Sequence, residues 1–221
     1  MEFERPELAS VVIPQRGHVD LTVACVEGLR VHEGRGVEIV VVDDGTEGDW
    51  SATQTTLEGL GVRVVAQAAA GVTAAWNRGW KESRGGIVVF LNNDVRIEGA
   101  FVDRLRVPLA ERAAHVAGGD WRWEGTAPGG AIPGWMCLAG YCFAVRRDWL
   151  SERGGFDERM RVYWSDTDAQ WEARQAGGAA ALVRVETAGA VRHLGHRTAR
   201  EMPGRRGVWR GDREAFLGKW G

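Results

Sequence analysis

The 221-residue chain is long enough for one domain with a sizeable core, and its 44% hydrophobic and 26% charged residues are typical of a soluble globular protein. This composition excludes a disordered chain. Its longest apolar runs, such as Val40–Val42 and Ile87–Leu91, are too short to span a bilayer, and the polar, acidic start Met1–Leu8 predicts no signal peptide. We therefore expect a cytoplasmic protein without a transmembrane segment.

Charge is distributed unevenly along the chain, although the formal net charge is only -2. Residues 192–221 carry eight basic and three acidic residues, which fits a phosphorylated ligand, an acidic partner or a solvated surface. Cys25, Cys137 and Cys142 lack the spacing of a zinc site. These cysteines are predicted to be reduced and buried.

The first half of the chain predicts strands that alternate with helices. Strands are predicted at 10–14, 37–42, 62–66 and 87–91, and helices at 18–32, 49–60 and 72–83. Continuous β-branched runs such as Val37–Val42 favour central parallel strands that are covered on both faces. The alternation predicts an α/β sandwich with right-handed crossovers.

The second half is less regular. The pattern predicts helices at 101–113 and 166–176, strands at 138–145 and 179–185, a turn at 154–157 and a loop over 121–135, which is rich in Gly, Trp and Pro. No internal repeat or long linker interrupts the sequence. We therefore predict a single domain over residues 1–221.

Polar side chains follow three of the predicted strands. These segments are Pro14-Gln15-Arg16, Asp43-Asp44-Gly45-Thr46 and Asn92-Asn93-Asp94. Each is also typical of a turn, but the carboxyl ends of parallel strands are where open α/β sheets bind ligands. Carboxylates there can accept hydrogen bonds from a nucleobase or ribose, or hold a hard divalent cation.

These segments belong to a series of motifs whose order resembles that of family-2 glycosyltransferases with the GT-A fold. The series consists of Val11–Pro14, Val41–Thr46 (VVDDGT), Gly71–Gly79 (GVTAAWNRG), Leu91–Asp94 (LNND), Gly154–Glu158 (GGFDE), Tyr163–Asp168 (YWSDTD) with Arg174 and Gly177, His193–Thr198 (HLGHRT) and Phe216–Gly221 (FLGKWG). Such enzymes move a sugar from a nucleotide diphosphate sugar to an acceptor. The resemblance implies a Rossmann-like, mixed and mostly parallel sheet flanked by helices, with a nucleotide-sugar-binding half over about 10–100 and an acceptor-side half over about 101–221.

The resemblance also implies roles on the donor side. It places the nucleotide sugar against Pro14, Gln15, Asp43, Asp44, Arg78, Asn92 and Asn93, with Asp44 preferred for the base. Asp94 matches the last Asp of the family's DxD motif and is expected to hold Mn²⁺ or Mg²⁺ at the donor phosphates, with His193 as a second ligand. Asn92 departs from the pattern because it stands where the first Asp of that motif would be.

On the acceptor side, the resemblance makes Asp166 the general base that takes the proton of the acceptor hydroxyl in an inverting transfer. A cap of the following helix is the alternative role for Asp166. Ser165 replaces the usual Glu beside it. Other candidates on this side are Trp135, Asp168, His196 and Arg197, and Trp121 and Trp123 are further rings that could stack on a sugar or pack in the core.

The interpretation favoured here is a metal-assisted, inverting glycosyltransferase that uses a UDP-, GDP- or dTDP-sugar. A saccharide or small molecule is the favoured acceptor, and a modified base in DNA is an alternative. A nucleotide-sugar-binding protein without turnover is a second alternative. A dinucleotide-dependent dehydrogenase is not expected, because no G-x-G-x-x-G follows the first strand. Membrane-embedded polysaccharide synthases are also not expected.

Overall fold

The computed structural model describes residues 5–124, 134–187, 189–195 and 202–221, and in it the chain folds around one seven-stranded sheet. The strands are β1 (Arg5–Gln15), β2 (Glu38–Asp44), β3 (Arg63–Gln67), β4 (Gly85–Leu91), β5 (Val95–Ile97), β6 (Val116–Gly118), β7 (Trp121–Glu124), β8 (Trp135–Leu138), β9 (Cys142–Arg146), β10 (Leu182–Arg184) and β11 (Val191–His193). The large sheet has the order β10-β6-β9-β4-β1-β2-β3, and β5 pairs with β11 and β7 with β8 in two small sheets.

Helices cover both faces of the large sheet. They are α1 (Val19–His32), α2 (Ser51–Gly59), α3 (Val72–Glu82), α4 (Val102–Ala110), α5 (Arg147–Glu152), α6 (Ser165–Gly177) and α7 (Arg205–Trp220), with a 3₁₀ turn at Gly178–Ala181. Buried residues of α1, α2 and α4 form one core layer, and those of α3, α5, α6 and α7 form the other.

Most strands of the large sheet are parallel to the strands that they pair with. The pairs β1–β2, β2–β3, β1–β4 and β6–β10 are parallel, whereas β9 is antiparallel to both β4 and β6. The predicted mixed, mostly parallel sheet in a single domain is therefore confirmed.

The strand β1 explains why the apolar runs are continuous. Val11 and Ile13 pack in the layer beneath α1, and Val12 packs in the layer beneath α3. All three side chains are buried, because neighbouring residues of a strand face opposite sides of a sheet. The three buried cysteines are free, as the sequence predicts.

Three predictions for the second half were wrong in detail. The stretch 138–145 is not one strand, because β8 ends at Leu138 and β9 begins at Cys142 after a turn. The strand predicted from residue 179 begins only at Leu182, since Gly178–Ala181 form the 3₁₀ turn. The predicted loop over 121–135 contains β7 and the first residue of β8, which pair as an antiparallel ribbon.

Within the described part of the chain, no helix has both the length and the apolar character needed to cross a membrane.

Candidate active site

The carboxyl ends of β1, β2 and β4 open into one cleft of about 1310 Å³. Of the residues predicted for the site, the cleft is lined by Pro14, Gln15, Asp44, Asn92, Asn93, Asp94, Asp166 and His193. Most of the donor-side candidates thus lie together, as expected for strand ends at one edge of a parallel sheet, and Asp166 is the acceptor-side candidate that joins them.

Asp44 is fixed by the turn that leads into α3. Its carboxylate accepts hydrogen bonds from the backbone N–H groups of Ala70 (2.8 Å) and Gly71 (2.9 Å), and from the side-chain amide of Gln67 (2.8 Å). Gly71 is required there, because its φ is +111° and a Cβ would lie 2.5 Å from the carbonyl oxygen of Arg161. Asp44 therefore presents a preset acceptor group at the cleft wall.

Asp43 has a different role. It is buried and does not line the cleft. Its Oδ1 accepts a hydrogen bond from Gln15 Nε2 (3.2 Å), and its carboxylate also bonds Thr46, whose hydroxyl oxygen accepts from the backbone N–H of Gly17 (2.9 Å). Asp43 thus ties the loop after β1 to the loop after β2.

Asp94 lies beside His193 because β5, which follows Asp94, pairs with β11. The register places His193 opposite Val95, and His193 Nε2 lies 3.2 Å from Asp94 Oδ1. The ring of Tyr141 stacks on the His193 imidazole at 4.6 Å between centroids, nearly parallel, and its hydroxyl bonds Asp120. This stack holds the imidazole over the carboxylate.

The other two residues of this strand end are also fixed. The backbone N–H of Asn92 donates to the carbonyl oxygen of Tyr141 (2.9 Å), and the Asn93 amide donates to Thr22 Oγ1 (3.1 Å). Asn93 is buried, whereas Asn92 is half-buried at the cleft. Asn92 is therefore the more accessible of the two amides.

The donor set at Asp94 suits a hard cation that shares its shell with phosphate oxygens. Among the described residues no three His, Cys, Asp or Glu side chains gather to form a complete metal site. A carboxylate and an imidazole are nevertheless sufficient where a substrate diphosphate supplies further oxygens, as Mg²⁺ sites with one or two carboxylates do. The residues present fit Mn²⁺ or Mg²⁺ on these terms.

Asp166 lies in the first turn of α6 and lines the same cleft. Its side chain is 12% exposed, and Oδ2 accepts a hydrogen bond from Arg122 Nη2 at 2.9 Å. No side-chain hydrogen bond caps the start of α6, which begins after Trp164. The alternative of Asp166 as a helix cap is therefore not the role seen here.

Arg122 and Glu124 are cleft residues that the sequence prediction missed. Burial opposes the charge of Arg122, but the neighbouring carboxylates of Asp166 and Glu124 hold its pKa above the usual range. Burial, together with the charge of Asp166, raises the pKa of Glu124 despite the contact with Arg122. The alternating sequence W-R-W-E over 121–124 could have indicated these two residues, because it places Arg122 and Glu124 on one face of a strand.

The predicted tryptophans lie elsewhere. Trp121 and Trp123 face away from the cleft and are 39% and 66% exposed. Trp135 is buried against Trp171, with ring centroids 5.3 Å apart. The rings that line the cleft include instead Trp164 and, from α7, Trp209.

Two further candidates do not reach the cleft either. Arg78 is exposed on α3 and pairs with Glu82 at 2.9 Å. Asp168 is completely buried behind α6, where it pairs with Arg153 (2.9 Å) and Lys219 (2.8 Å) and accepts from Trp220 Nε1 (2.7 Å). Asp168 thus holds the end of α7 rather than an acceptor. His196 and Arg197 lie outside the described residues.

Several buried polar atoms around the cleft lack a hydrogen-bond partner among the described residues. Four such atoms belong to cleft-lining side chains, namely Gln15 Oε1, Trp76 Nε1, Tyr163 Oη and Trp164 Nε1. Buried polar groups are normally paired, so this concentration at one cleft indicates a ligand site.

Comparison with known proteins identifies a family whose model matches this chain. The family model "Glycosyl transferase family 2" matches residues 10–135, which is more than half of the chain. No curated protein matches the sequence.

Solved structures show which fold this is. A mannosyltransferase from Pyrobaculum calidifontis in complex with GDP-Man and Mn²⁺ has a TM-score of 0.64 at 16% identity, over 83% of this chain and 57% of its own. Glucosyl-3-phosphoglycerate synthase from Mycobacterium tuberculosis, in complex with Mn²⁺, UDP and glucosyl-3-phosphoglycerate, has a TM-score of 0.68 at 18% identity, over 96% and 80%. At these identities the likeness shows the GT-A fold. This chain spans little more than half the length of the mannosyltransferase.

Proposed function

Since this chain belongs to glycosyl transferase family 2, we propose that it transfers a sugar from a nucleotide diphosphate sugar to an acceptor hydroxyl with inversion at the anomeric carbon. One observation carries the proposal. The polar strand ends at Asp44 and Asn92–Asp94 line a single cleft together with Asp166. A donor bound along the strand ends would therefore share the cleft with a carboxylate that can serve an acceptor.

Donor binding is assigned to the strand-end residues. Asp44 is held with its carboxylate at the cleft, where it accepts N–H or O–H groups of the base or ribose, and Gln15 Oε1 is available as a second acceptor. Asp94 and His193 would hold Mn²⁺ or Mg²⁺, which when bound neutralises negative charge on the diphosphate. Both solved relatives cited above contain Mn²⁺, one with GDP-Man and the other with UDP.

Asp166 is assigned as the general base. The acceptor oxygen forms its bond to the anomeric carbon as the bond from that carbon to the diphosphate oxygen breaks. The proton of the acceptor hydroxyl passes to the carboxylate of Asp166, and the nucleoside diphosphate leaves. Because the side chain is 12% exposed, the carboxylate is accessible to an acceptor and yet largely shielded from water.

A saccharide or small molecule remains the proposed acceptor. The wall beyond Asp166 carries the rings of Trp164 and Trp209, which lie 5.8 Å apart between centroids. Aromatic faces of this kind suit the flat apolar side of a sugar or a planar alcohol. A DNA acceptor would instead bind with strong salt dependence, which a titration at two salt concentrations distinguishes.

The donor site is tested by calorimetric titration with UDP, GDP and dTDP, first with Mn²⁺ and then with EDTA. We expect one nucleotide to bind with Mn²⁺, and its affinity to fall at least about tenfold with EDTA or in Asp94→Ala. Asp103→Ala is the matched control, because Asp103 is an exposed carboxylate on α4. Equal affinity in all conditions, or no binding by any nucleotide, would contradict the donor site.

The catalytic assignment is tested with Asp166→Asn. Release of nucleoside diphosphate from the matching sugar donor is measured with water as the acceptor and then with a panel of sugars and small alcohols. We expect the variant to bind nucleotide as the wild type does but to turn over about 10²–10⁴-fold more slowly. Nucleotide binding without turnover by the wild type would favour the binding-protein alternative.

A further inference from the structure

The ribbon of β7 and β8 carries two charged side chains to the wall of the cleft that holds Asp166. Because side chains alternate along a strand, Arg122 and Glu124 point into the cleft while Trp121 and Trp123 point outward. The ribbon is not part of the large sheet, so contacts with other elements help to fix its position. Some of those contacts are with α6.

Main-chain groups fix the ribbon to α6. The side-chain amide of Gln170, which is fully buried, accepts from the backbone N–H of Leu138 (2.6 Å) and donates to its carbonyl oxygen (3.0 Å). Gln170 lies four residues after Asp166, so both side chains are on one face of the helix. The ribbon and the first turn of α6 are thus held together as one wall.

Arg122 contacts Asp166 directly. Its Nη2 donates to Asp166 Oδ2 (2.9 Å) and to Thr167 Oγ1 (2.7 Å), and its Nη1 pairs with Glu124. One guanidinium therefore bridges two carboxylates, as its planar set of N–H donors permits. Glu124 in turn restrains Arg122 from the side away from Asp166.

A glycine closes the other side of the carboxylate. A Cβ on Gly140 would lie 2.3 Å from Asp166 Oδ2, so Oδ2 sits directly against the backbone between β8 and β9. Oδ2 is thereby held between Gly140 and Arg122. Oδ1 accepts no hydrogen bond from any residue in the described ranges, which leaves it to face a ligand.

We propose that Arg122 is a positioning residue for Asp166, which it orients with Oδ1 toward the acceptor hydroxyl, and that Glu124 holds Arg122 in this position. This inference rests on the proposed role of Asp166 as the base. It also accounts for Ser165, which stands where the family has Glu. Ser165 is buried and accepts a hydrogen bond from Thr73 (2.8 Å), so the second carboxylate near Asp166 is Glu124, from another element.

The side chains around Asp166 come from two further elements. Arg122 and Glu124 lie on β7, and the buried thiol of Cys137 lies on β8. Arg122 is the cation in direct contact with Asp166, so its removal takes away the hydrogen bond that orients the Asp166 carboxylate.

The test measures kcat and donor KM for nucleoside diphosphate release from the sugar donor in the wild type and three variants. Arg122→Met removes the cation but keeps the length of the side chain, and should lower kcat about 100-fold with donor KM unchanged. Arg122→Lys should restore part of kcat, and Glu124→Gln should have a smaller effect of the same kind.

A control and a double variant distinguish this inference from a structural role. Arg106→Met removes a similarly exposed arginine from an ion pair on α4 and should leave kcat and donor KM unchanged. In an Asp166→Asn background, Arg122→Met should cause no further loss, because Arg122 acts through Asp166. An unchanged kcat in Arg122→Met, or fully additive losses, would overturn the inference. If Asp166→Asn itself retains full turnover, the proposed function fails first.

Discussion

The proposed donor and acceptor sides of the cleft are built by different kinds of contact. On the donor side, Asp44 is held mainly by backbone N–H groups of the turn before α3. On the acceptor side, Asp166 is held by the guanidinium of Arg122 from a separate ribbon, and α7 is held by Lys219 contacting Asp168. The donor side therefore follows from sheet topology, whereas the acceptor side depends on side chains that are distant in sequence.

The largest expected effect is on the attachment of α7, which forms part of the acceptor side. Asp212 is buried and accepts from the backbone N–H groups of Arg161 (3.1 Å), Val162 (2.9 Å) and Tyr163 (2.8 Å). Asp212→Ala should lower the free energy of unfolding by about 3–5 kcal/mol, because it leaves these amides without their charged partner.

Urea unfolding at pH 7 measures this loss. The control is Asp103→Ala, since Asp103 is 82% exposed and pairs with Arg106 on the same helix. Its loss should be about 0.5 kcal/mol or less. If the two variants lost the same stability, α7 would not be held in place by Asp212.

The second expected effect on stability compares two glycines, Gly79 in α3 and Gly211 in α7. A Cβ on Gly79 of α3 would lie 2.2 Å from Val12 Cγ1 and 3.1 Å from Val42 Cγ2, whereas nothing lies within 4 Å of a Cβ on Gly211 of α7. Gly79→Ala should cost about 2–3 kcal/mol by overpacking α3 against β1 and β2. Gly211→Ala should instead stabilise by about 0.5–1 kcal/mol through higher helix propensity. Thermal unfolding of both variants, with opposite shifts in midpoint, checks the pair.

This contrast explains what the sequence predicted and what it did not. The strands of the first half and the cleft positions of Asp44 and Asp94 follow from apolar runs ended by polar turns, and a parallel sheet brings such ends together. Trp135 was placed at the acceptor because aromatic rings bind sugars, yet it lies in the core. Composition alone does not tell which face of a ribbon meets the cleft.

Arg122 and Asp168 show two opposite errors of the sequence prediction. Arg122 lines the cleft but was not predicted, whereas Asp168 was predicted and does not line it. Arg122 became a cleft residue only because β7 pairs with β8 and the ribbon docks on α6. Asp168 lies two residues after Asp166, in the same turn of α6, but it contacts Lys219 and Trp220 on α7. Both outcomes depend on which distant segments meet, and the spacing of residues along the chain does not contain that information.

The third effect uses the two lysines of the chain. Lys219 contacts the buried Asp168 at 2.8 Å, whereas Lys81 is exposed on α3 and lies 5.9 Å from the ring of Trp80. Lys219→Met should lower the free energy of unfolding by about 1–2 kcal/mol, because Asp168 keeps Arg153 as a partner. Lys81→Met should cost about 0.5 kcal/mol. Equal losses in urea unfolding would show that the Asp168 contact does not stabilise α7.

The smallest expected effect on the free energy of unfolding concerns Glu38, which lies at the start of β2, at the end of the sheet opposite the cleft. Glu38 accepts hydrogen bonds from Ser10 Oγ (2.6 Å), the backbone N–H of Arg84 (2.7 Å) and Arg84 Nε (3.1 Å). Burial opposes its charge, but these bonds and the charge of Arg84 hold the pKa of Glu38 below its usual value. Glu38→Gln should therefore lower the free energy of unfolding by about 1 kcal/mol at pH 7.

A lowered carboxyl pKa stabilises the fold above the unfolded-state value of about 4.3, and this stabilisation disappears as the pH falls through the folded-state value. Urea unfolding between pH 7 and pH 3 should show the gap between wild type and variant narrowing in that acid range, and a constant gap would mean that the hydrogen bonds of Glu38 stabilise the sheet without its charge.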